Sequence, residues 1–176
     1  MVSEITPFDD LEAEHQLEVL RWLESTDDVY RRAKPATPNR HLVSYIPVVD
    51  LGDGSSLLVS HINAGRWLPP GGHVEPDENP VDAARREADE ELGVQARFVE
   101  HPPRPAFVTV TVTGGIDRGH TDVSLWFPLL GSRDMGLSSD LNEFTDTRWW
   151  TPTEVQAAPP EALDPHYVRF ARKLGI

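Results

Sequence analysis

The chain has 176 residues, of which 39% are hydrophobic, and this suits one globular domain with enough apolar residues for a core. Its 16 basic and 29 acidic residues give a formal net charge of −13, which argues against a protein that binds a nucleic-acid polymer, because gripping a phosphate backbone needs clustered cationic surface. The absence of cysteine excludes disulfides, zinc thiolates, iron–sulfur clusters and a thiol nucleophile.

The ends and the apolar runs of the chain favour a cytoplasmic protein with no membrane partner. The first ten residues carry acids where a secretory signal would have a basic region followed by an apolar one. The longest apolar run, residues 125–130, is far shorter than the roughly 20 residues of a membrane helix.

The spacing of apolar residues predicts an N-terminal helix over residues 7–34. Its core-facing stripe consists of five hydrophobic side chains: Phe8, Leu11, Val19, Trp22 and Leu23. Pro35 and Pro38 cannot continue a helix. We therefore predict an N-terminal helical extension over residues 1–38, packed on a main domain over residues 39–176. The pattern leaves open whether this helix packs on its own chain or across a homodimer.

Strand and helix signals alternate along the main domain. Runs rich in β-branched and aromatic residues predict five strands, at residues 41–50, 56–62, 95–101, 106–113 and 120–130. The clearest helix is capped by Asn79 and starts with Pro80. Gly93 suits the left-handed residue that ends it. Two further helices begin at Thr151, in a capping box, and at Asp164. This order predicts a single mixed α/β (α+β) domain.

The helix that ends at Gly93 carries an unusual set of acids. Glu87, Glu90 and Glu91 lie three and four residues apart, so their carboxylates can converge on one flank. Such carboxylates repel one another and oppose the negative end of the helix dipole, at about 0.3–1 kcal/mol each. On their own, three glutamates more often form a solvated acidic face. The turn-rich segment 67–72 just before the helix, which lets backbone approach a ligand, favours a Mg²⁺ site instead.

The segment from Gly72 to Val94 resembles the Nudix box, G-x5-E-x7-R-E-U-x-E-E-x-G-U, where U is a bulky aliphatic residue. The departure is Ala88, which is smaller than the usual residue at a U position. The resemblance to the Nudix hydrolase superfamily (MutT-like) implies a Nudix-type mixed β-sheet sandwiched between helices, here with the N-terminal helical extension. It also implies a Mg²⁺- or Mn²⁺-dependent hydrolase that cleaves the diphosphate linkage of a nucleoside diphosphate joined to a group X.

The resemblance also implies roles for residues of the box. Glu87, Glu90 and Glu91 would bind the metal, together with the backbone carbonyl of Gly71. Arg86 would orient these glutamates through charge-assisted hydrogen bonds, although a surface pairing with Asp82 or Glu90 is an equally simple role.

Two further roles follow from the family and stay less defined. Glu78 would close an ion-pair network near the loop. The general base is either Glu87 or an acid from a distant loop, for which Glu143 is the first candidate, followed by Asp146 and Asp122.

Substrate contacts are expected from a strand and a turn outside the box. In the strand 120–127, alternation places His120 and Asp122 on the face that can line the cleft, with Ser124 and Trp126 beside them, although that face is as readily a solvated one. Arg66 is a phosphate-binding candidate, as are Arg104 and Arg118. Trp67 could stack on a base, although a tryptophan near a turn is more often packed in a core.

The substrate itself is not determined by these motifs. The expected partner is a small nucleotide. Because we find no convincing signature of a Nudix subgroup, a (deoxy)nucleoside triphosphate, including an oxidised one, is allowed by default. A Nudix-fold sensor that binds a nucleotide without turnover is the alternative, but such proteins commonly lose box acids and this chain keeps them all.

Overall fold

The structure is a computed structural model that describes residues 1–33, 36–113, 119–137 and 143–176. Within these residues the chain forms a mixed α/β fold, which confirms the predicted class. A short 3₁₀ turn (Val2–Glu4) precedes four α-helices: α1 (Asp10–Ser25), α2 (Pro80–Leu92), α3 (Pro152–Ala157) and α4 (Tyr167–Leu174). None of the helices described is both long and apolar enough to cross a lipid bilayer.

The nine described strands form two mixed sheets. The strands are β1 (Arg40–Tyr45), β2 (Val48–Val49), β3 (Ser56–His61), β4 (Arg66–Leu68), β5 (Gly71–His73), β6 (Phe107–Val112), β7 (Thr121–Trp126), β8 (Leu129–Leu130) and β9 (Phe144–Trp150). The first sheet has the order β5-β1-β7-β6, and the second has the order β4-β3-β2-β8 with β9 paired to β3. The β1–β7 and β2–β8 pairs are parallel, and the other pairs are antiparallel.

One pair of chain segments passes from the first sheet into the second. The parallel pair β1–β7 continues as the parallel pair β2–β8 after a short interruption at Pro47 and Pro128. Proline has no N–H to donate to a strand ladder. The chain therefore leaves one sheet and enters the other at these residues, while Phe127 N still donates to Tyr45 O.

Helix α2 begins and ends as predicted. Asn79 accepts a hydrogen bond from Val81 N at 2.9 Å, Pro80 is the first helical residue, and Gly93 is left-handed with φ of 66°. The helix packs on β1 and β5 through small or apolar side chains that are completely buried: Ala83, Ala84, Ala88 and Leu92. The small residue at position 88 thus lies in the packed interface between helix and sheet.

The N-terminal helix is shorter than predicted, and its buried face is different. It begins after Asp9, whose carboxylate caps Glu12 N, and it ends at Ser25 rather than near residue 34. Phe8 and Leu11 are exposed, whereas Val19 is fully buried and Trp22 and Leu23 pack against the core. The predicted stripe is wrong in the first turn because an acid occupies that face: Glu12 is completely buried.

The buried acid joins the two ends of the chain. Glu12 accepts a hydrogen bond from Lys173 Nζ on α4 at 2.7 Å, and Asp9 forms an ion pair with Arg169 on the same helix. Helix α1 also lies against β6. In the single chain described here, the helix thus contacts α4 and β6 of its own chain.

Other element predictions are corrected. No strand forms over residues 95–101, where Phe98 makes a single bridge with Leu129. Strands β4, β5 and β9 were not predicted, because three-residue strands and a polar edge strand have weak sequence patterns. The last helix starts at Tyr167, since the Asp164 carboxylate instead closes a turn by accepting from His166 N.

Strand β7 is buried on both faces along most of its length. Ser124 and Trp126 were expected on a solvated or cleft-lining face, but both are buried, and the Trp126 ring lies 5.0 Å from that of Phe170 on α4. Its indole Nε1 donates to Thr109 Oγ1 at 3.0 Å. Only the first part of the strand, near Asp122, is left beside a cavity.

We expect Glu12→Ala to lower the free energy of unfolding by about 3 kcal/mol, because it leaves Lys173 Nζ and Phe8 N without the carboxylate that both contact. Urea unfolding measures the change, with Glu14→Ala on the exposed face of α1 as the matched control. Equal effects of the two substitutions would show that the buried pair does not stabilise the fold.

Candidate active site

The last two turns of α2 press two carboxylates against strand β5. Glu87 and Glu91 are buried, with 8% and 6% of their surface exposed, while Glu90 is exposed. Gly71 N donates to Glu91 Oε2 at 2.6 Å. A Cβ at Gly72 would come within 2.6 Å of Glu87 Cδ, so a side chain at this position would displace the carboxylate packed on it.

Arg86 connects these carboxylates to the loop before the helix. Its guanidinium donates to Glu78 through Nε at 3.0 Å and Nη2 at 2.9 Å, and to the backbone carbonyl of His73 at 3.0 Å. Its Nη1 donates to Glu87 Oε1 at 2.7 Å and to Glu90 Oε2 at 3.0 Å. An orienting role for Arg86 and an ion-pair network through Glu78 would need these contacts, and both roles stay predictions.

The same contacts correct one part of the sequence argument. Asp82 pairs with Arg85 rather than with Arg86. The repulsion among the acids is offset in part by Arg86, so a divalent cation is not the only charge that makes the arrangement tolerable.

Burial changes the acidity of one of these glutamates. Desolvation raises the pKa of Glu87 to about 7, against the opposing effect of the Arg86 guanidinium, and the nearby Glu90 and Glu143 carboxylates raise it further. A carboxyl with such a pKa exchanges its proton near neutral pH. Any additional positive charge placed beside it stabilises its ionised form.

The donor set fits a hard divalent cation. Glu87, Glu90 and Glu91 line one cavity of about 430 Å³, and all three offer oxygen ligands, which Mg²⁺ and Mn²⁺ prefer. Gly71 lies beside Glu91 with φ of 130°, a conformation that a side chain would strain.

A larger cavity of about 910 Å³ adjoins this one, because four residues line both: Arg31, Gly72, His73 and Glu143. Arg66, His120 and Asp122 also line the larger cavity, so the structure brings these three predicted residues together. Arg66 Nη1 donates to the carbonyls of Leu163 and Pro160 at 3.1 and 3.3 Å.

Trp67 is placed elsewhere. Its ring packs edge-on against that of Trp150 at 5.4 Å and it does not line either described cavity. Among the arginines, Arg104 pairs with Glu100 away from both cavities, and Arg118 lies outside the described residues.

The three acids outside α2 considered as general bases lie at different places relative to the two cavities. Glu143 immediately precedes β9 and lines both cavities. Asp146, on β9, is exposed and lines neither of them, and its carboxylate accepts from Thr147 N. Asp122 lines the larger cavity alone.

Sequence reasoning missed three residues near this site. Arg31, from the extension, places its Nη1 2.7 Å from His73 Nε2, and His41 Nε2 lies 3.1 Å from Asp122 Oδ1. Burial and the Arg31 guanidinium lower the pKa of His73 to about 3, so its imidazole is neutral. No local motif marks these residues, because strand pairing and the path of the extension bring them together.

Comparison with known proteins gives one consistent match. A sequence model of the NUDIX domain matches residues 39–174. The chain is 34% identical to a "MutT-like protein" of Streptomyces ambofaciens over 119 residues, 68% of this chain and 70% of that protein. It is also 34% identical to an "RNA pyrophosphohydrolase" of Cereibacter sphaeroides over 102 residues, 52% of this chain and 63% of that protein.

The fold has solved relatives as well. The crystal structure of a NUDIX-family hydrolase from Clostridium perfringens superposes with a TM-score of 0.60 at 20% identity. The superposition covers 77% of this chain and 97% of that one.

In the metal-free protein, we expect Glu87→Gln to raise the free energy of unfolding by about 1–3 kcal/mol near pH 8 and to change it little near pH 4. The Glu87 pKa is raised on folding from 4.5 to about 7, so its contribution to stability is present below about pH 4.5 and is lost as the pH rises through about 7. Urea unfolding in EDTA at both pH values tests this, with Asp89→Asn on the exposed side of α2 as the control. A pH-independent effect of Glu87→Gln would contradict it.

Proposed function

Since the chain belongs to the NUDIX family and is a Nudix hydrolase, we propose that it cleaves the diphosphate linkage of a nucleoside diphosphate joined to a group X. The observation that carries this proposal is the pair of buried glutamates, Glu87 held by Arg86 and Glu91 held by Gly71 N, in a 430 Å³ cavity that adjoins one of 910 Å³. A cavity of this size is in the range that holds a small ligand such as a nucleotide.

We propose that Glu87, Glu90 and Glu91, with the backbone carbonyl of Gly71, hold Mg²⁺ or Mn²⁺. Such an ion, when bound, neutralises phosphate charge and lowers the pKa of a bound water. Arg86 fixes the Glu87 carboxylate from one side and Gly71 N fixes that of Glu91 from the other. These two carboxylates are therefore oriented without a bound ion.

For the general base, we favour Glu143 over the other loop acids. It lines both cavities, so it can face the substrate and the metal-binding glutamates together. Its charge also raises the pKa of Glu87. The Glu87 carboxylate already accepts a hydrogen bond from Arg86. This arrangement suits a metal ligand better than a general base, which must accept a proton.

We propose that Arg66, His120 and Asp122 contact the substrate in the larger cavity. The role proposed for Trp67 has less support, because its ring packs on Trp150. The chain's charge of −13 favours a small nucleotide over a nucleic-acid polymer, although one relative carries the name RNA pyrophosphohydrolase.

Three predictions about the whole protein stay as predictions. The division at residue 38 is supported by a NUDIX domain match that begins at residue 39. A homodimer and a cytoplasmic location are retained as expectations.

We expect release of phosphate or pyrophosphate from at least one diphosphate-linked nucleotide in the presence of Mg²⁺, and none in EDTA. The panel includes nucleoside triphosphates, oxidised triphosphates, nucleotide sugars, dinucleoside polyphosphates and an RNA oligomer with a 5′-triphosphate. Calorimetric binding of a non-hydrolysable analogue without turnover of any substrate would instead favour the sensor.

Glu91→Gln is expected to lower kcat at least about a hundredfold, the scale of losing a key electrostatic stabiliser. Asp89→Asn, two residues away on the exposed side of α2, is expected to keep kcat within about twofold of the unsubstituted enzyme. Unchanged turnover in Glu91→Gln would remove Glu91 from the metal-binding set.

Glu143→Gln is expected to lower kcat by about 10²–10⁴-fold with a small change in KM, since a general base acts in the transition state. Asp146→Asn, on the exposed part of β9, is expected to keep kcat within about twofold of the unsubstituted enzyme. Unchanged kcat in Glu143→Gln would return the role of base to Glu87.

A further inference from the structure

We propose that His41, His73, His120 and Asp122 form a second metal site, which takes a transition-metal dication such as Zn²⁺ and is separate from the glutamates of α2. The proposal does not depend on the hydrolase reaction. Each of these side chains offers one ligand atom, and the four atoms lie within 4.8 Å of one another. Among the described residues, no glutamate of α2 belongs to such a group.

The pairing of the first sheet creates this cluster. In the parallel pair β1–β7, His41 and Asp122 are register partners. His73 lies on β5, which pairs with the other edge of β1, and His120 directly precedes β7. The imidazole centroid of His41 is 4.8 Å from that of His73 and 5.2 Å from that of His120.

Two buried atoms of the cluster lack a partner. His41 is completely buried, and neither its Nε2 nor Asp122 Oδ1 has a hydrogen-bond partner in the described part of the chain, although they face each other at 3.1 Å. His41 Nδ1 is 3.0 Å from the Pro38 carbonyl, which can only accept, so Nδ1 carries the proton. Nε2 and the carboxylate oxygen would repel each other with nothing between them, so a cation, either a proton or a metal ion, has to occupy that position.

His120 is oriented in the same way. Its Nε2 lies 3.4 Å from the same Asp122 Oδ1, and its Nδ1 is 3.1 Å from Thr113 Oγ1. In proteins, an imidazole that binds metal through one ring nitrogen usually has the other held by a carbonyl or hydroxyl group. Both histidines have this outer contact.

The donor set distinguishes this site from that of the glutamates. Two imidazoles and one carboxylate make a facial triad, and a third imidazole completes a set that suits Zn²⁺, Fe²⁺ or Co²⁺, whereas oxygen donors suit Mg²⁺. The ligand spread of up to 4.8 Å exceeds the roughly 3.4 Å between ligands bound about 2.0–2.1 Å from a tetrahedral ion. Rotation of the side chains toward a common centre is therefore part of binding.

His73 differs from the other three ligands because an arginine contacts its ring nitrogens. Arg31 Nη1 contacts both of its ring nitrogens, at 2.7 and 3.2 Å. The ring becomes available only when Arg31 turns away.

The test is Zn²⁺ titration of the chelator-treated, full-length protein by calorimetry in excess Mg²⁺, together with the visible absorption of the Co²⁺-loaded protein. We expect one Zn²⁺ per chain, with affinity lowered at least about a hundredfold in Asp122→Asn and in His120→Gln. Glu91→Gln, which alters the other site, is expected to keep that affinity. Circular dichroism verifies that each variant folds.

Two results would overturn the proposal. One is Zn²⁺ binding that survives Asp122→Asn and His120→Gln but is lost in Glu91→Gln, which would assign the ion to the α2 glutamates. The other is no Zn²⁺ or Co²⁺ binding together with a ¹⁵N imidazole spectrum that shows His41 protonated on both nitrogens. In that case a proton, and no metal, separates His41 from Asp122.

Discussion

The site depends on the close packing of α2 against the two glycines of β5. Gly72 has no side chain, so Glu87 can press its carboxylate onto the backbone of the strand, and Gly71 N donates to Glu91 while a Cβ at Gly71 would collide with the Ser44 carbonyl of β1. Ser44 Oγ on β1 donates to the Pro80 carbonyl at 2.8 Å and holds the other end of the helix on the sheet. Within the box, Arg86 places its positive charge against Glu87 but contacts Glu90 as well, so the three acids share one guanidinium and are left short of positive charge.

The surrounding fold leaves an opening at one end of β7 and closes the other. Helix α4 covers Trp126 with aromatic side chains, so that half of the strand is a core element. Toward Asp122 the same strand is not covered and meets the larger cavity. One six-residue strand therefore contributes to both the hydrophobic core and the site, with a change of role along its length.

The N-terminal extension has a part in this arrangement beyond packing. Its helix is tied to α4 by the Asp9–Arg169 and Glu12–Lys173 pairs, and the chain after it delivers Arg31 to the junction of the two cavities. Val29 O accepts from Leu42 N, which fixes this segment beside β1. A cation from outside the family domain thus faces the acids within it.

The sequence alone determined the features whose causes are local. The caps of α2, its glutamate spacing and the capping box at Thr151 follow from neighbours three or four residues apart, and the resemblance of residues 72–94 to the Nudix box indicated the family. Tertiary structure decided what depends on residues far apart in the chain. The register of β1 on β7 brings His41 to Asp122, and α4 removes Trp126 from the cleft, because strand partners and covering helices are set by long-range packing that no local spacing encodes.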